Sequence, residues 1–190
     1  MKKEDSTAIK FGTDGWRGVM AKEFTFDNVR RVAQAIAEHL KAQPSGKKKP
    51  TIVIGYDRRF QSEAYAGEIA GIFDANDMQA VISTETLPTP AISYLSKKMK
   101  ALGIMVTASH NPPAYNGIKI KIDGRAASEQ VTTSVESLID RSNPMRSGSG
   151  RIQLKSFRKD YLQYLRSQIN PSAFAGRLKK KFIVDYLYGS

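Results

Sequence analysis

Residues 51–107 read TIVIGYDRRFQSEAYAGEIAGIFDANDMQAVISTETLPTPAISYLSKKMKALGIMVT, and three short apolar runs inside them decide the fold. TIVIG (51–55), QAVIS (79–83) and GIMVT (103–107) are runs of the kind buried on both faces of a parallel sheet. Between them lie two helical patterns. One starts at about Ser62 and carries Tyr65, Ile69, Ile72 and Phe73 on its inner side; the other is AISYLSKKMK (91–100). Strand, helix, strand, helix, strand at this spacing demands right-handed crossovers and predicts an α/β fold, a three-layer α/β/α sandwich. Ligands of such sheets collect at the carboxyl ends of the strands. Three loops leave those ends: YDRRFQSE (56–63), TETLPTP (84–90) and ASHNPPAYNG (108–117).

Upstream, TFDNVRRVAQAIAEHLKA (25–42) repeats Val29, Val32, Ala33, Ile36, Ala37 and Leu40 on one helical face, with Thr25 or Asp27 as its cap. His39 falls on the polar flank and is expected at the surface. The turn-rich stretch QPSGKKKP (43–50) ends this helix. Downstream, Asn116-Gly117 reads as a tight turn into IKIKI (118–122). There Ile118, Ile120 and Ile122 are expected in the core, and Lys119 and Lys121 in solvent or a cleft. A fourth helix, SEQVTTSVESLID (128–140), precedes the linker-like NPMRSGSG (143–150). FRKDYLQYLRSQI (157–169) is a short amphipathic helix, and KKFIVDYLYGS (180–190) reads as a strand opening a new βαβ unit. The expected organisation is one domain over 1–141, a linker over 142–156, and the start of a second, truncated domain over 157–190.

The chain has 190 residues, 41% hydrophobic and 25% charged, the balance of a globular protein with a core. It has no cysteine, which excludes a disulfide scaffold, a thiolate metal site and a cysteine nucleophile, and fits a reducing cytoplasm. MKKEDSTAIK at the start has no apolar run to serve as a signal peptide, and no stretch approaches the roughly 20 apolar residues of a membrane span. A soluble cytoplasmic protein with no membrane partner is expected. The net charge is +12, but residues 1–141 hold 20 Lys+Arg against 16 Asp+Glu, and residues 142–190 hold ten against two. The excess is therefore concentrated near the C-terminus, without a base-reading motif, and nucleic acid is not an expected partner.

The loops hold the chemistry. FGTDGWRG (11–18) sets glycines at 12, 15 and 18 around Thr13, Asp14 and Arg17, a pattern able to bring backbone N–H groups and a forked guanidinium to an anion, though it also describes an ordinary glycine turn. Neither nucleotide fingerprint, GxGxxG or GxxxxGK[ST], is present. Ser109 follows a buried strand in a loop stiffened by Pro112 and Pro113, without the G-x-S-x-G or placed histidine of an acyl hydrolase. His110 directly follows it. No His/Cys cluster or D-x-D-x-D group is present for a complete metal cage. Lys119, close to the serine loop, either neutralises an anion and moves a proton or is simply solvated.

Taken together, FGTDGWRG (11–18), GYDRRFQSE (55–63), PTP (88–90), TASHNPPAYNGIKI (107–120) and VDYLYG (184–189) resemble the α-D-phosphohexomutases, the phosphoglucomutase/phosphomannomutase family. The resemblance implies a domain I with a mixed, mostly parallel sheet, followed by the start of domain II. It implies that Ser109 carries a phosphoryl group and gives it to a hexose phosphate, through a hexose 1,6-bisphosphate, with Mg²⁺ as cofactor. Arg17 and Lys119 would be the cations around the phosphoserine, Lys119 also serving proton transfer, with His110 and Asn111 contacting phosphate. Ser109, through its phosphate, would be this chain's only metal ligand. Asp57 and Arg59 match the family's G-x-D-x-R turn and would support the loop. The family's D-x-D-x-D-R, G-E-x-S-G and R-x-S-G-T loops are not in these residues. The expected partners are therefore a hexose phosphate and the missing C-terminal domains of the same protein, and the chain alone is expected to be inactive. The T-A-S-H-N-P-P form looks more like the glucose/mannose branch than phosphoglucosamine mutase, the nearest rival. A non-catalytic domain binding phosphosugars or an acidic partner is the reading from another class.

Overall fold

The computed structural model describes residues 9–43, 49–145, 150–173, 176, 181–187 and 189. The three apolar runs form β2 (Thr51–Tyr56), β3 (Gln79–Ser83) and β4 (Leu102–Val106), all parallel, with β2 in the middle. β5 (Tyr115–Ile122) lies antiparallel beside β4, and β1 (Trp16–Val19) antiparallel beside β5. The two-residue β6 (Arg125–Ala126) pairs with β5, and β7 (Gln153–Lys155) pairs parallel with β3 at the far edge. The sheet order is β1-β5-β4-β2-β3-β7, a mixed sheet with a parallel centre.

Strand alternation sorts the two faces. Ile52 and Ile54 join Ile104, Val106, Ile118 and Ile120 in one core, against α1 (Phe26–Ala42) and α2 (Ser62–Ala75). Val53, Val81 and Met105 face the other way, with Ile92 and Leu95 of α3 (Thr89–Met99). α4 (Glu129–Leu138) covers α1 through Val135, and α5 (Arg158–Gln168) lies beside α3. This is the expected three-layer sandwich. Thr25 caps α1, its hydroxyl accepting from the Asn28 N–H at 3.2 Å. Pro90 lies in the first turn of α3, where its missing donor costs nothing.

Several expectations are corrected. His39 is 9% exposed rather than at the surface, because α4 closes over that flank of α1; its Nδ1 lies 2.9 Å from Ser134 Oγ, and burial holds the imidazole below its ordinary value. Asn116-Gly117 is not a turn: both residues lie inside β5, opposite Gly18 and Arg17. The glycine is there for a close approach, since a Cβ would meet Trp16 O at 2.6 Å and Thr107 O at 2.7 Å. Ile122 is 39% exposed, unlike Ile118 and Ile120, because β5 runs past the body of the sheet there.

The C-terminal apolar run forms no strand over 181–187. Phe182, Ile183 and Val184 are 67%, 98% and 65% exposed, with no strand among the described residues to pair with, and β-propensity without a partner specifies little. Within the stretch expected as a linker, 153–155 adds β7 to the sheet, and Phe157, just after it, is fully buried in the α3-side core. The basic loop 43–50, the linker 143–150 and the segment GRLKKK at 176–181 fall partly outside the described residues. Among the described residues no helix is long and apolar enough to cross a membrane.

Candidate active site

The serine loop leaves β4 at the carboxyl edge of the parallel strands, and a single guanidinium holds it. Arg59 donates from Nη2 to the carbonyls of Ser109 and Asn111, both at 2.7 Å, and from Nη1 to those of Pro112 and Tyr115 at 2.9 and 3.0 Å. Its planar fork suits four carbonyls facing one point, which a lysine would not match. Asp57 holds the arginine in turn, at 3.3 Å from Nε, and accepts from the Arg59 N–H at 3.0 Å.

Asp57 also reaches the Ser109 backbone through Thr107. The Thr107 hydroxyl donates to Asp57 Oδ2 at 2.6 Å and accepts from the Ser109 N–H at 2.9 Å. The other oxygen of Asp57 accepts from Ser62 Oγ at 3.0 Å, and the buried Asn116 amide donates to that hydroxyl at 2.9 Å. Ser109 itself is exposed and has φ +57, a left-handed conformation that costs a non-glycine residue roughly 1–2 kcal/mol. The clasp offsets that cost and presents Oγ to the outside. Beside it opens a cavity of about 490 Å³, lined by Ser109, Asn111, Arg58, Arg59 and the exposed ring of Phe60 among others. A larger cavity of about 770 Å³ between α3 and α5 holds Tyr94, Tyr161 and Tyr164, away from the serine loop.

Of the predicted residues, Arg17 and Asn111 are brought together: Arg17 Nη1 donates to Asn111 Oδ1 at 2.8 Å. His110 is exposed, with no hydrogen bond among the described residues. Lys119 is not solvated. Its Nζ lies 2.6 Å from Asp14 Oδ2, and Lys121 Nζ lies 2.8 Å from Asp14 Oδ1; the lysine side chains are 5% and 7% exposed. Of the two expected placements, solvent or a cleft, the solvated one is excluded for both lysines, and the cause is the FGTDG turn folded over the face of β5. Desolvation pushes the Asp14 carboxyl up, but the two ammonium groups outweigh it and hold Asp14 below its ordinary value.

Asp14, Lys121 and Thr107 are residues that sequence reading did not assign to the site. The available signal was two lysines on one face of an otherwise apolar strand, which require an anion if that face is covered. Gly15 makes the contact feasible. Its φ is +102, and a Cβ there would sit 2.3 Å from Ile118 O. Gly15→Ala is therefore expected to lower stability by about 3 kcal/mol, seen as a lower urea midpoint.

Among the described residues no group of three His, Cys, Asp or Glu is placed to hold a metal ion. Asp57, the carboxylate lining the cavity beside Ser109, is occupied by Thr107, Ser62 and Arg59. These residues do not by themselves fit a Mg²⁺ cage.

The site thus joins an exposed serine on a strand-end loop of an α/β sandwich to cationic side chains of the neighbouring strands, Arg17 on β1 and Lys119 and Lys121 on β5. The chain belongs to the phosphoglucomutase/phosphomannomutase family, its residues 8–145 matching the α/β/α domain I of that family. It is 33% identical over 189 residues to phosphoglucosamine mutase of Thermoanaerobacter pseudethanolicus, covering 95% of this chain and 40% of the relative. It is 37% identical over 188 residues to phosphoglucosamine mutase of Rhodococcus opacus, covering 95% and 41%. Among solved structures, one described as a putative phosphomannomutase from Thermus thermophilus superposes with a TM-score of 0.80 at 33% identity, over 90% of this chain and 38% of that one. The chain thus spans about two-fifths of the length of the curated relatives it matches.

Proposed function

We propose that this chain is the nucleophile-bearing part of a phosphohexomutase, an intramolecular phosphotransferase acting on hexose 1- and 6-phosphates. The observation that carries the reading is the clasped, left-handed and exposed Ser109, on a loop that the cation Arg17 reaches through Asn111. Phosphoryl transfer asks a protein mainly for positioning and charge neutralisation. In the proposed reaction the bond between phosphorus and Ser109 Oγ breaks as a bond to a hexose phosphate hydroxyl forms. The bisphosphate then turns and returns its other phosphoryl group to Ser109. Arg17 and Lys119 neutralise the phosphate, Lys119 also serves the sugar-hydroxyl proton, and Asn111, oriented by Arg17, and His110 meet phosphate oxygens. Mg²⁺ would neutralise charge on the transferring phosphate; its carboxylate ligands and the sugar-reading groups would come from domains beyond these residues, acting in the cytoplasm with this one.

The names of the relatives favour a glucosamine phosphate, whereas the serine-loop wording favours glucose or mannose. The test is the complete protein assayed with glucose 1-phosphate, mannose 1-phosphate and glucosamine 1-phosphate. Turnover of at least one supports the reading, and turnover of none, at any Mg²⁺ concentration, defeats it. The 190-residue chain alone is expected to give no isomerisation of glucose 1-phosphate above a Ser109→Ala control, and a rate above that control would show that the other domains are dispensable.

A further inference from the structure

Two lysines of one strand share a single carboxylate. On β5, Lys119 and Lys121 point to the same face, and each Nζ meets a different oxygen of Asp14, at 2.6 and 2.8 Å. The lysine side chains are 5% and 7% exposed while that of Asp14 is 33% exposed, so the carboxylate is the outer end of the cluster. One carboxylate against two ammonium groups leaves a positive charge over. Arg17 adds a second: it stands opposite Gly117, two residues along β5 from Lys119, and reaches Asn111 in the serine loop. A buried charge without a full counter-charge is costly, and a phosphoserine brings roughly −1.5 to −2 charges. The surplus of two matches that anion.

We propose that Asp14 is a positioning residue of the phosphoryl-transfer site, holding Lys119 and Lys121 side by side so that their surplus charge serves the phosphate on Ser109, and that Lys121 is a second cation of that site. The inference rests on the phosphohexomutase reading above. Each ammonium uses one N–H on its own carboxylate oxygen, and Lys119, opposite Met105, lies nearer the Ser109 end of β4 than Lys121, opposite Gly103. Without the carboxylate, two neighbouring ammonium groups repel and the pair loses its common aim. The close packing of Gly15 on Ile118 and Lys119 is what brings Asp14 to both lysines.

The test uses the complete protein with Asp14→Asn, which keeps the shape and removes the charge, Asp14→Glu, which restores it, and Lys121→Met. Asp14→Asn is expected to lower kcat by about 10- to 100-fold with little change in KM, as a misplaced group does. Asp14→Glu should recover part of that loss, and Lys121→Met should lower kcat in the same direction. Values for Asp14→Asn and Lys121→Met indistinguishable from wild type would overturn the proposal. If the wild type itself shows no turnover, the functional reading fails instead. The bridge is then read on the 190-residue chain by ¹⁵N NMR of lysine side chains: two slowly exchanging ammonium signals are expected, both lost in Asp14→Asn. Signals unchanged by that substitution would overturn the bridging role.

Discussion

Ser109→Ala is expected to abolish mutase turnover in the complete protein, a loss on the order of 10⁴-fold or more, while the fold survives. The residue is exposed and its hydroxyl makes no hydrogen bond among the described residues, so removing Oγ opens no cavity. Ser109→Gly should be equally inactive yet more stable than wild type. The position has φ +57, where glycine adopts the required conformation without the Cβ penalty, and a gain of about 1 kcal/mol is expected despite the freer unfolded chain. Activity lost while stability rises would mark a residue kept for chemistry and not for folding. Thermal or urea unfolding of the three proteins, alongside the mutase assay, reads both quantities, and a Ser109→Gly variant that keeps turnover would remove the serine from the mechanism.

The second large effect belongs to Arg59→Ala. Four carbonyls of the serine loop lose their donor at once, and Asp57 loses its cation. Leaving a mostly buried carboxylate unpaired and a loop unclasped should cost about 3 kcal/mol. For a chain of this size that corresponds to a fall in melting temperature of roughly 6–12 °C. Arg59→Lys should rescue little, since one ammonium cannot span carbonyls from Ser109 to Tyr115. Turnover in the complete protein should fall with both variants, because Ser109 is no longer held at the strand end. A melting temperature within about a degree of wild type for Arg59→Ala would show that the loop keeps its shape without the clasp.

Much of this was legible in the sequence because the signals were local. Ile52 and Ile54 against Val53 declare a strand buried on both faces, and the strand-helix alternation from Thr51 to Val106 leaves one architecture. Ser109 stands out because it follows the buried strand GIMVT within a proline-stiffened loop. What stayed hidden depends on contacts between distant residues. Trp16–Val19 is a strand only because β5 offers its edge, and Gln153–Lys155 only because β3 does. Nothing in IKIKI says that its charged face will be covered, so solvent and cleft stay open for Lys119 and Lys121 until the glycine turn carrying Asp14 is seen lying across them. The Asn116-Gly117 pair has the composition of a turn but serves as a strand crossing, with the glycine chosen for contact with Trp16 O and Thr107 O. His39 differs for the same reason: the helix that buries it is about 95 residues away in sequence.

The most direct test of the central claim is to find where the phosphoryl group resides. The complete protein would be incubated with a hexose 1,6-bisphosphate, digested, and its peptides mapped by mass spectrometry before and after adding hexose 6-phosphate. One phosphoryl group is expected, on Ser109, removed by the sugar phosphate and absent from Ser109→Ala. Sustained turnover with Ser109 unmodified, or the phosphoryl group on another residue, would contradict it.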